Sequence, residues 1–515
     1  MTAPSTPAAA DEHSATTRDW IALSVISLAS IVISVDQTAL NVALPTLVRQ
    51  LRPTRSGLQW IADGYTLTNA VLLLLGGALG DRFGRKRIFL VGLSIFGLGS
   101  LTAALVHSTG PLIGTRVAMG LGAAWMMPGT LSIIATTFSG RQRANAIGIW
   151  AGVNGIGTAA GPVVGGTLLQ HFWWGSIFLI NVPLVSIALI VGTRVLRESR
   201  ADVKPRLDPV AVLLSAGGMA VLTYAAIQAP GRGWLSGTVL GGVGIGIALL
   251  IAFRFWDRRS DLPFLDLTLF RSHTFTGALA AVSAMFFALF GVQYLVSQYL
   301  QFVQGDDALG VGVRFLPLAL ISIVASILSA KLTARFGLWP LLLAGMTTLM
   351  IGLVVDATLV STTSGYLPLG LALALIGLGL GFAVAPASAA VVNSVPIEKV
   401  GAAAGVRSTV QLLGGSFGVA VIGSIAATRY HSRVDDAFRG SLSSLPAPAR
   451  PYVRDQIGSA HEVAQHLPAD LAHVTTSVAD AAYVSGFRVA ATTGATVLAL
   501  ATIAAARFAP RKAKG

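Results

Sequence analysis

Residues 70–87 read Ala70-Val-Leu-Leu-Leu-Leu-Gly76-Gly77-Ala-Leu-Gly80-Asp81-Arg82-Phe83-Gly84-Arg85-Lys86-Arg87. An uncharged run stops abruptly on one acid set among four bases. Taken back past Asp63 to residue 57, it makes a segment of about 20 residues, enough to cross the hydrocarbon of a bilayer as a helix. The same ending returns later as Ala330-Lys-Leu332-Thr-Ala334-Arg335-Phe336-Gly337-Leu338-Trp339, again after an apolar run. Leu, Arg, Phe and Gly recur in register, while the acid and the later basic pair are lost. A loop repeated in two halves is expected of a transporter built from duplicated helix bundles.

Counting outward from these segments gives fourteen predicted spans. They lie near 20–42, 57–79, 88–106, 111–135, 145–169, 176–196, 209–228, 237–256, 273–301, 309–330, 340–360, 365–387, 402–425 and 484–507. The repeated loops follow spans 2 and 10. They correspond only if spans 7 and 8 are inserted between two sets of six. The expected organisation is therefore a tail at 1–19, a six-helix bundle at 20–196, inserted helices at 209–256, a second bundle at 273–507, and a tail at 508–515. The charged stretch at 198–208 joins the first six spans to the rest. Residues 427–482, with Pro446, Pro448 and Pro451 and then a helix-like run from about 454 to 482, are expected to form an outer loop or cap.

Composition excludes the alternatives. Charged residues are 11% of the 515-residue chain and hydrophobic ones 54%, against about 25% charged in a soluble domain. The fold class is thus an all-α polytopic membrane protein. The first residues lack a basic n-region and a cleavage site, so they read as a cytoplasmic tail and not as a signal peptide. With no cysteine there is no disulfide, thiolate nucleophile or Cys-ligated metal. The net charge of +14 does not require nucleic acid. Twenty-three of the 36 Lys and Arg fall in one alternate set of tails and short loops, and five in the other. By the positive-inside rule both termini are cytoplasmic.

Charged residues inside spans default to functional hypotheses. Asp36 lies six residues before the outer end of span 1, about 9 Å deep at 1.5 Å per residue. Asp63 and Arg116 enter spans 2 and 4 from the outer side to similar depth. If the three converge, two neighbouring carboxylates cannot both be comfortably ionised and one carries a proton. The trio then makes a proton or cation site. The other reading pairs Arg116 structurally with Asp36 and leaves Asp63 near the headgroups.

Span 5 carries Gly157, Gly161 and Gly165 on one face, with Pro162 and Gly166. Such a face lets a neighbouring helix approach closely, and Pro162 removes a backbone donor. The basic loop with Gly77, Asp81, Gly84, Arg85 and Lys86 suffices as a topology signal, except that nothing in that role needs the acid. Asp356 and Arg407 are expected near interfaces. The eight histidines sit in tails, loops and span edges, so no metal is expected. No G-x-x-x-x-G-K-[ST] segment is present to drive an ATP-powered pump, and Gly377-Leu-Gly379-Leu-Gly381 lies inside a span, not in a dinucleotide loop.

Together these stretches resemble the major facilitator superfamily, and within it the 14-span drug:proton antiporters. Asp36-Gln-Thr-Ala-Leu-Asn41-Val-Ala-Leu-Pro45 resembles the family's span-1 motif, and Gly77 through Lys86 its loop between spans 2 and 3. Arg116 with Gly120, Gly122, Ala123 and Ala124 resembles the span-4 motif, although Met119 stands where Gln is usual. Gly157, Gly161, Pro162, Gly165 and Gly166 resemble the antiporter motif. Asn181-Val182-Pro183 fits the start of span 6, with Gly175 replacing a usual Arg.

The resemblance implies two six-helix bundles rocking about a midplane cavity. It implies export of amphipathic, often cationic drugs or toxic compounds across a bacterial plasma membrane. It implies proton coupling through Asp36, Asp63 and Arg116, a conformational switch in the loop, and no cofactor beyond the proton gradient. The partners implied are small molecules, protons and the bilayer, with a monomeric chain and no nucleic acid. Three other readings stay open: a dedicated exporter of a self-made antibiotic or metabolite, an uptake permease, and a membrane enzyme.

Overall fold

A computed structural model describes residues 15–51, 53, 55–200, 208–259, 267–396 and 399–508. The ends of both tails and most of the linker before span 7 lie outside the described residues. Long helices follow one another with short turns. They are α1 (Thr17–Leu51), α2 (Arg55–Phe83), α3 (Arg85–Leu105), α4 (Thr109–Thr137), α5 (Gly140–His171), α6 (Asn181–Val195) and α7 (Pro209–Arg232). Then come α8 (Gly237–Asp257), α9 (His273–Gln298), α10 (Leu316–Phe336), α11 (Leu338–Leu359), α12 (Tyr366–Asn393), α13 (Val400–Phe438) and α14 (Ala469–Phe508). Among the described residues, thirteen helices are long and apolar enough to cross a membrane. The remaining long one, α5, has 32 residues. The chain is an all-helical, multi-pass membrane protein.

Helix pairing repeats between the first six helices and the last six. In the first set α2 packs on α4, α3 on α4, α1 on α5, and α6 on both α1 and α3. Eight helices later the partners are α10 with α12, α11 with α12, α9 with α13, and α14 with both α9 and α11. Close approach is made by glycines at matching places. A Cβ on Gly157 or Gly165 would press into α1, and one on Gly414 or Gly418 into α9. The two halves meet along α2 with α13 and α5 with α10. The inserted α7 and α8 pack on each other, and α7 lies against α2 and α13. Trp256 Nε1 donates to Asp208 Oδ2 (2.6 Å) and Trp234 Nε1 to Ser424 Oγ (2.8 Å), so both ends of the inserted pair are fastened.

The stretch expected as an outer loop or cap is helical. Helix α13 runs on to Phe438 and α14 starts at Ala469, and the connection carries two short helices, Arg450–Asp455 and Ile457–Ala464. The helix-like run expected over 454–482 is broken at Gln456, whose backbone is extended. Tyr430 and Val434, four apart on one helix face, are buried with Leu442, Leu445, Val453 and Ile457 in the core of the C-terminal half. Burial of this apolar set explains why the segment folds onto the bundle.

Candidate functional site

The buried charges of the N-terminal half are built from α1, α4 and the start of α6. Arg116 Nη1 meets Asp36 Oδ2 at 2.6 Å, and both side chains are 1% exposed. Arg116 Nε donates to the Ile61 carbonyl on α2 (3.3 Å), and its guanidinium lies 4.5 Å from the Tyr65 ring centre. Asn181 Nδ2 donates to Asp36 Oδ1 (3.3 Å) and to Ser100 Oγ (3.2 Å). Both oxygens of Asp36 are therefore engaged. A buried charge pair keeps its stability only when such further hydrogen bonds complete it.

Arg116 is seven residues into α4 from Thr109, about 10 Å along the axis. Asp36 was expected six residues from the end of its helix. Helix α1 instead continues fifteen residues beyond it to Leu51, past the span end expected near residue 42. Asp63 is half-buried, two residues along α2 from Ile61. The described contacts of Asp36 and Arg116 do not include it.

The glycine face of α5 holds α1, the helix that carries Asp36. A Cβ on Gly157 would meet Ser34 and Ile31, one on Gly161 would overlap the Thr38 hydroxyl, and one on Gly165 would meet Ala39. Gly166 is buried, and the side chain of Pro162 lies outside the described residues.

The loop after α2 ties the halves together. Asp81 Oδ1 accepts from Arg85 Nε (2.9 Å) and Nη2 (2.8 Å), and its Oδ2 accepts from the Ala402 backbone N–H (3.0 Å) in the first turn of α13. An acid suits that place because a helix N-terminus carries unsatisfied N–H groups and a partial positive charge. Gly77 packs on Gly401. Gly84 has φ of 115°, open to glycine at little cost, and brings the chain against Glu198. The Glu198 carboxylate accepts from the Lys86 and Arg87 N–H groups, while Lys86 Nζ donates to the Thr193 carbonyl (2.7 Å).

Between the halves lies a cavity of about 120 Å³ bordered by α1, α4, α5, α9, α10, α12 and α13. Its wall includes Gln37, Trp150, Phe286, Phe290, Gln293 and Arg407. Arg407, expected near an interface, is 2% exposed. It is the eighth residue of α13, about 10 Å along the axis from the start of that helix. Asp356, three residues from the end of α11, is buried by protein, and neither of its oxygens has a hydrogen-bond partner among the described residues. The signal for Arg407 was present, since a lone charge inside an apolar span is rarely incidental. Trp150 and the in-span amides Gln37 and Gln293 were not singled out, because one polar group in a span gives no hint of which way it faces.

The arrangement of two repeated halves around a cavity has clear counterparts. A family model described as Major Facilitator Superfamily matches residues 26–419. The chain is 35% identical to the multidrug efflux pump LfrA of Mycolicibacterium smegmatis, over 96% of this chain and 97% of that protein. It is 33% identical to the tetracenomycin C resistance and export protein of Streptomyces glaucescens, over 95% and 91%. It is 32% identical to the multidrug resistance protein Stp of Mycobacterium tuberculosis, over 95% and 92%. The fold is similar to the proton:xylose symporter XylE bound to 6-bromo-6-deoxy-D-glucose, with a TM-score of 0.62, 14% identity, and coverage of 96% and 97%. It is also similar to the human organic anion transporter MFSD10, with a TM-score of 0.60, 14% identity, and coverage of 95% and 100%.

Proposed function

The chain belongs to the major facilitator superfamily, and we propose that it is a proton-coupled antiporter exporting amphipathic drugs or toxic compounds across the plasma membrane. The observation that carries this reading is the fully buried Asp36–Arg116 pair in a helix set that borders the central cavity. A carboxylate held by a guanidinium can take up a proton and release its partner, and that exchange couples protonation to helix movement. The relatives, a multidrug efflux pump and an export protein, support the direction and kind of cargo. A membrane potential supplies about 2.3 kcal/mol per charge per 100 mV. A proton-motive force of roughly 150–200 mV then supports on the order of a thousandfold gradient per proton.

In this reading Asp36 carries the proton, Arg116 is its counter-charge, Asn181 holds the pair in place, and Asp63 tunes it from α2. The Asp81–Ala402 contact latches the halves at the end of the molecule that faces the cytoplasm, where both termini lie. The protein works as a monomer, without cofactor and without covalent chemistry. Expression in a pump-deficient host should raise resistance to a set of amphipathic drugs, and adding such drugs to everted vesicles should move protons. Unchanged susceptibility together with silent vesicles would overturn the reading. A dedicated role in exporting a self-made antibiotic has support from the tetracenomycin C relative. Resistance confined to one compound class would favour it.

A further inference from the structure

The central cavity has a charge of its own, and it is positive. Arg407 is 2% exposed on the cavity wall, and no carboxylate pairs with it among the described residues. Its Nε donates to Ser388 Oγ (3.1 Å) and its Nη1 to Gln411 Oε1 (2.6 Å), while the guanidinium lies 5.4 Å from the Trp150 ring centre. Trp150 is itself fixed, its Nε1 donating to Ser30 Oγ at 3.0 Å. The guanidinium is thus held still by two neutral groups and a ring, and Nη2 has no protein acceptor among the described residues. Among the described residues, no Asp or Glu borders the cavity. Asp36, one residue before Gln37, has both oxygens committed to Arg116 and Asn181. Buried cations are normally paired, so a preorganised, unpaired one facing a cavity is a receptor for an acceptor group.

Resting on the export reading above, we infer that the cargo bound in this cavity is an aromatic compound carrying an acidic group, a carboxylate or phenolate, that docks on Arg407. The rings lie against Trp150, Phe286 and Phe290, and the acid completes the guanidinium's hydrogen bonds through a charge-assisted contact. A permanent cation in the same place meets Arg407 with no acid to screen it. This departs from the cationic cargo that the sequence resemblance implies.

The test is equilibrium binding to the purified full-length protein, read by energy transfer from tryptophan, with pyrenebutyrate, its methyl ester and the matching trimethylammonium compound. The carboxylate should bind about tenfold or more tighter than the ester, as expected for a hydrogen bond to a charged group, and the ammonium compound weakest. Arg407→Gln should bring the carboxylate-to-ester ratio to about one, and Arg407→Lys should keep it above one. Equal binding of the three probes, tightest binding of the ammonium compound, or a ratio unchanged in Arg407→Gln would overturn the inference. Elution as a single monodisperse peak shows that each variant is folded, and Arg407→Lys serves if Arg407→Gln fails that check. Proton movement in everted vesicles with the same probes separates the two proposals. Movement without charge preference keeps the export reading and removes this one. Charge preference that follows Arg407, with no proton movement by any probe, keeps the site and removes proton coupling.

Discussion

Asp81 Oδ2 accepts a 3.0 Å hydrogen bond from the backbone N–H of Ala402, joining the end of α2 to the start of α13. The same carboxylate holds Arg85 through its other oxygen. One side chain therefore closes a salt bridge within its own half and caps a helix of the other. Asp81→Asn keeps an acceptor for Ala402 but loses the charge that Arg85 needs. Turnover in vesicles should fall about tenfold with drug binding nearly normal. Asp81→Ala should also lower the melting temperature, since breaking a buried pair costs about 3 kcal/mol or more. Equal loss of binding and turnover in Asp81→Asn would mean that the residue acts on the binding site directly.

Gly161 sits where an added Cβ would overlap the Thr38 hydroxyl and come within 3.0 Å of the Val35 carbonyl. Gly161→Leu should abolish transport while the protein remains in the membrane. Gly161→Ala should cut transport less severely, and Thr38→Ala in the same chain should recover part of it. Normal export by Gly161→Leu would show that α1 and α5 need not stay this close.

Asp36→Asn should stop drug-induced proton movement in everted vesicles, because an amide keeps the shape but cannot ionise. It also leaves Arg116 as an uncompensated buried charge, so expression should fall. Adding Arg116→Met should restore expression without restoring proton movement. A well-expressed Asp36→Asn protein with full proton-coupled export would remove Asp36 from the coupling role. Asp63→Asn should weaken coupling and leave expression intact.

Topology is open to a direct test because the chain has no native cysteine. Single cysteines at Arg200 and at Ser444, both exposed positions, should react from opposite sides of the membrane. Arg200→Cys should be labelled only after the cells are permeabilised, and Ser444→Cys in intact cells. Labelling of both from one side would break the fourteen-span arrangement.

The carboxyl of Asp208 is held below its ordinary range first by the Trp256 indole N–H, then by the Val210 backbone N–H. A depressed acid contributes stability above its unfolded value, near 4, and loses it as pH falls through the lower folded value. Protection of the amides at the start of α7, measured against the intrinsic exchange rate at each pH, should therefore fall below about pH 4. Asp208→Asn should exchange faster at neutral pH and lose most of that pH dependence.

The number and order of the spans were legible because each needs about 20 apolar residues, and such runs survive counting. The repeat was legible at Phe83-Gly84 and Phe336-Gly337, where backbone geometry preserves the residues. Helix ends were less so. Span 1 was expected to end near residue 42, yet α1 runs on to Leu51, since packing outweighs local preference. The 427–482 stretch read as a loop or cap with a helical run, since prolines and helix periodicity are local signals, whereas Tyr430 and Val434 declare themselves only when a core lies beside them.

The sequence by itself determined the class of fold and the placement of charge at helix ends, which follow from patterns within about 20 consecutive residues, and the duplication, which follows from one such pattern recurring. Only the tertiary structure decided who meets whom. Counting along the spans offered Asp36 and Arg116 as a pair, but they are 80 positions apart, and Asp81 and Ala402 are 321 apart, so only the packing of their helices settles either contact. The same holds for Arg407, whose facing depends on the rotation of α13 against α9 and α2. A helix fixes spacing along its axis, but the direction in which a side chain points into the protein is set by its neighbours.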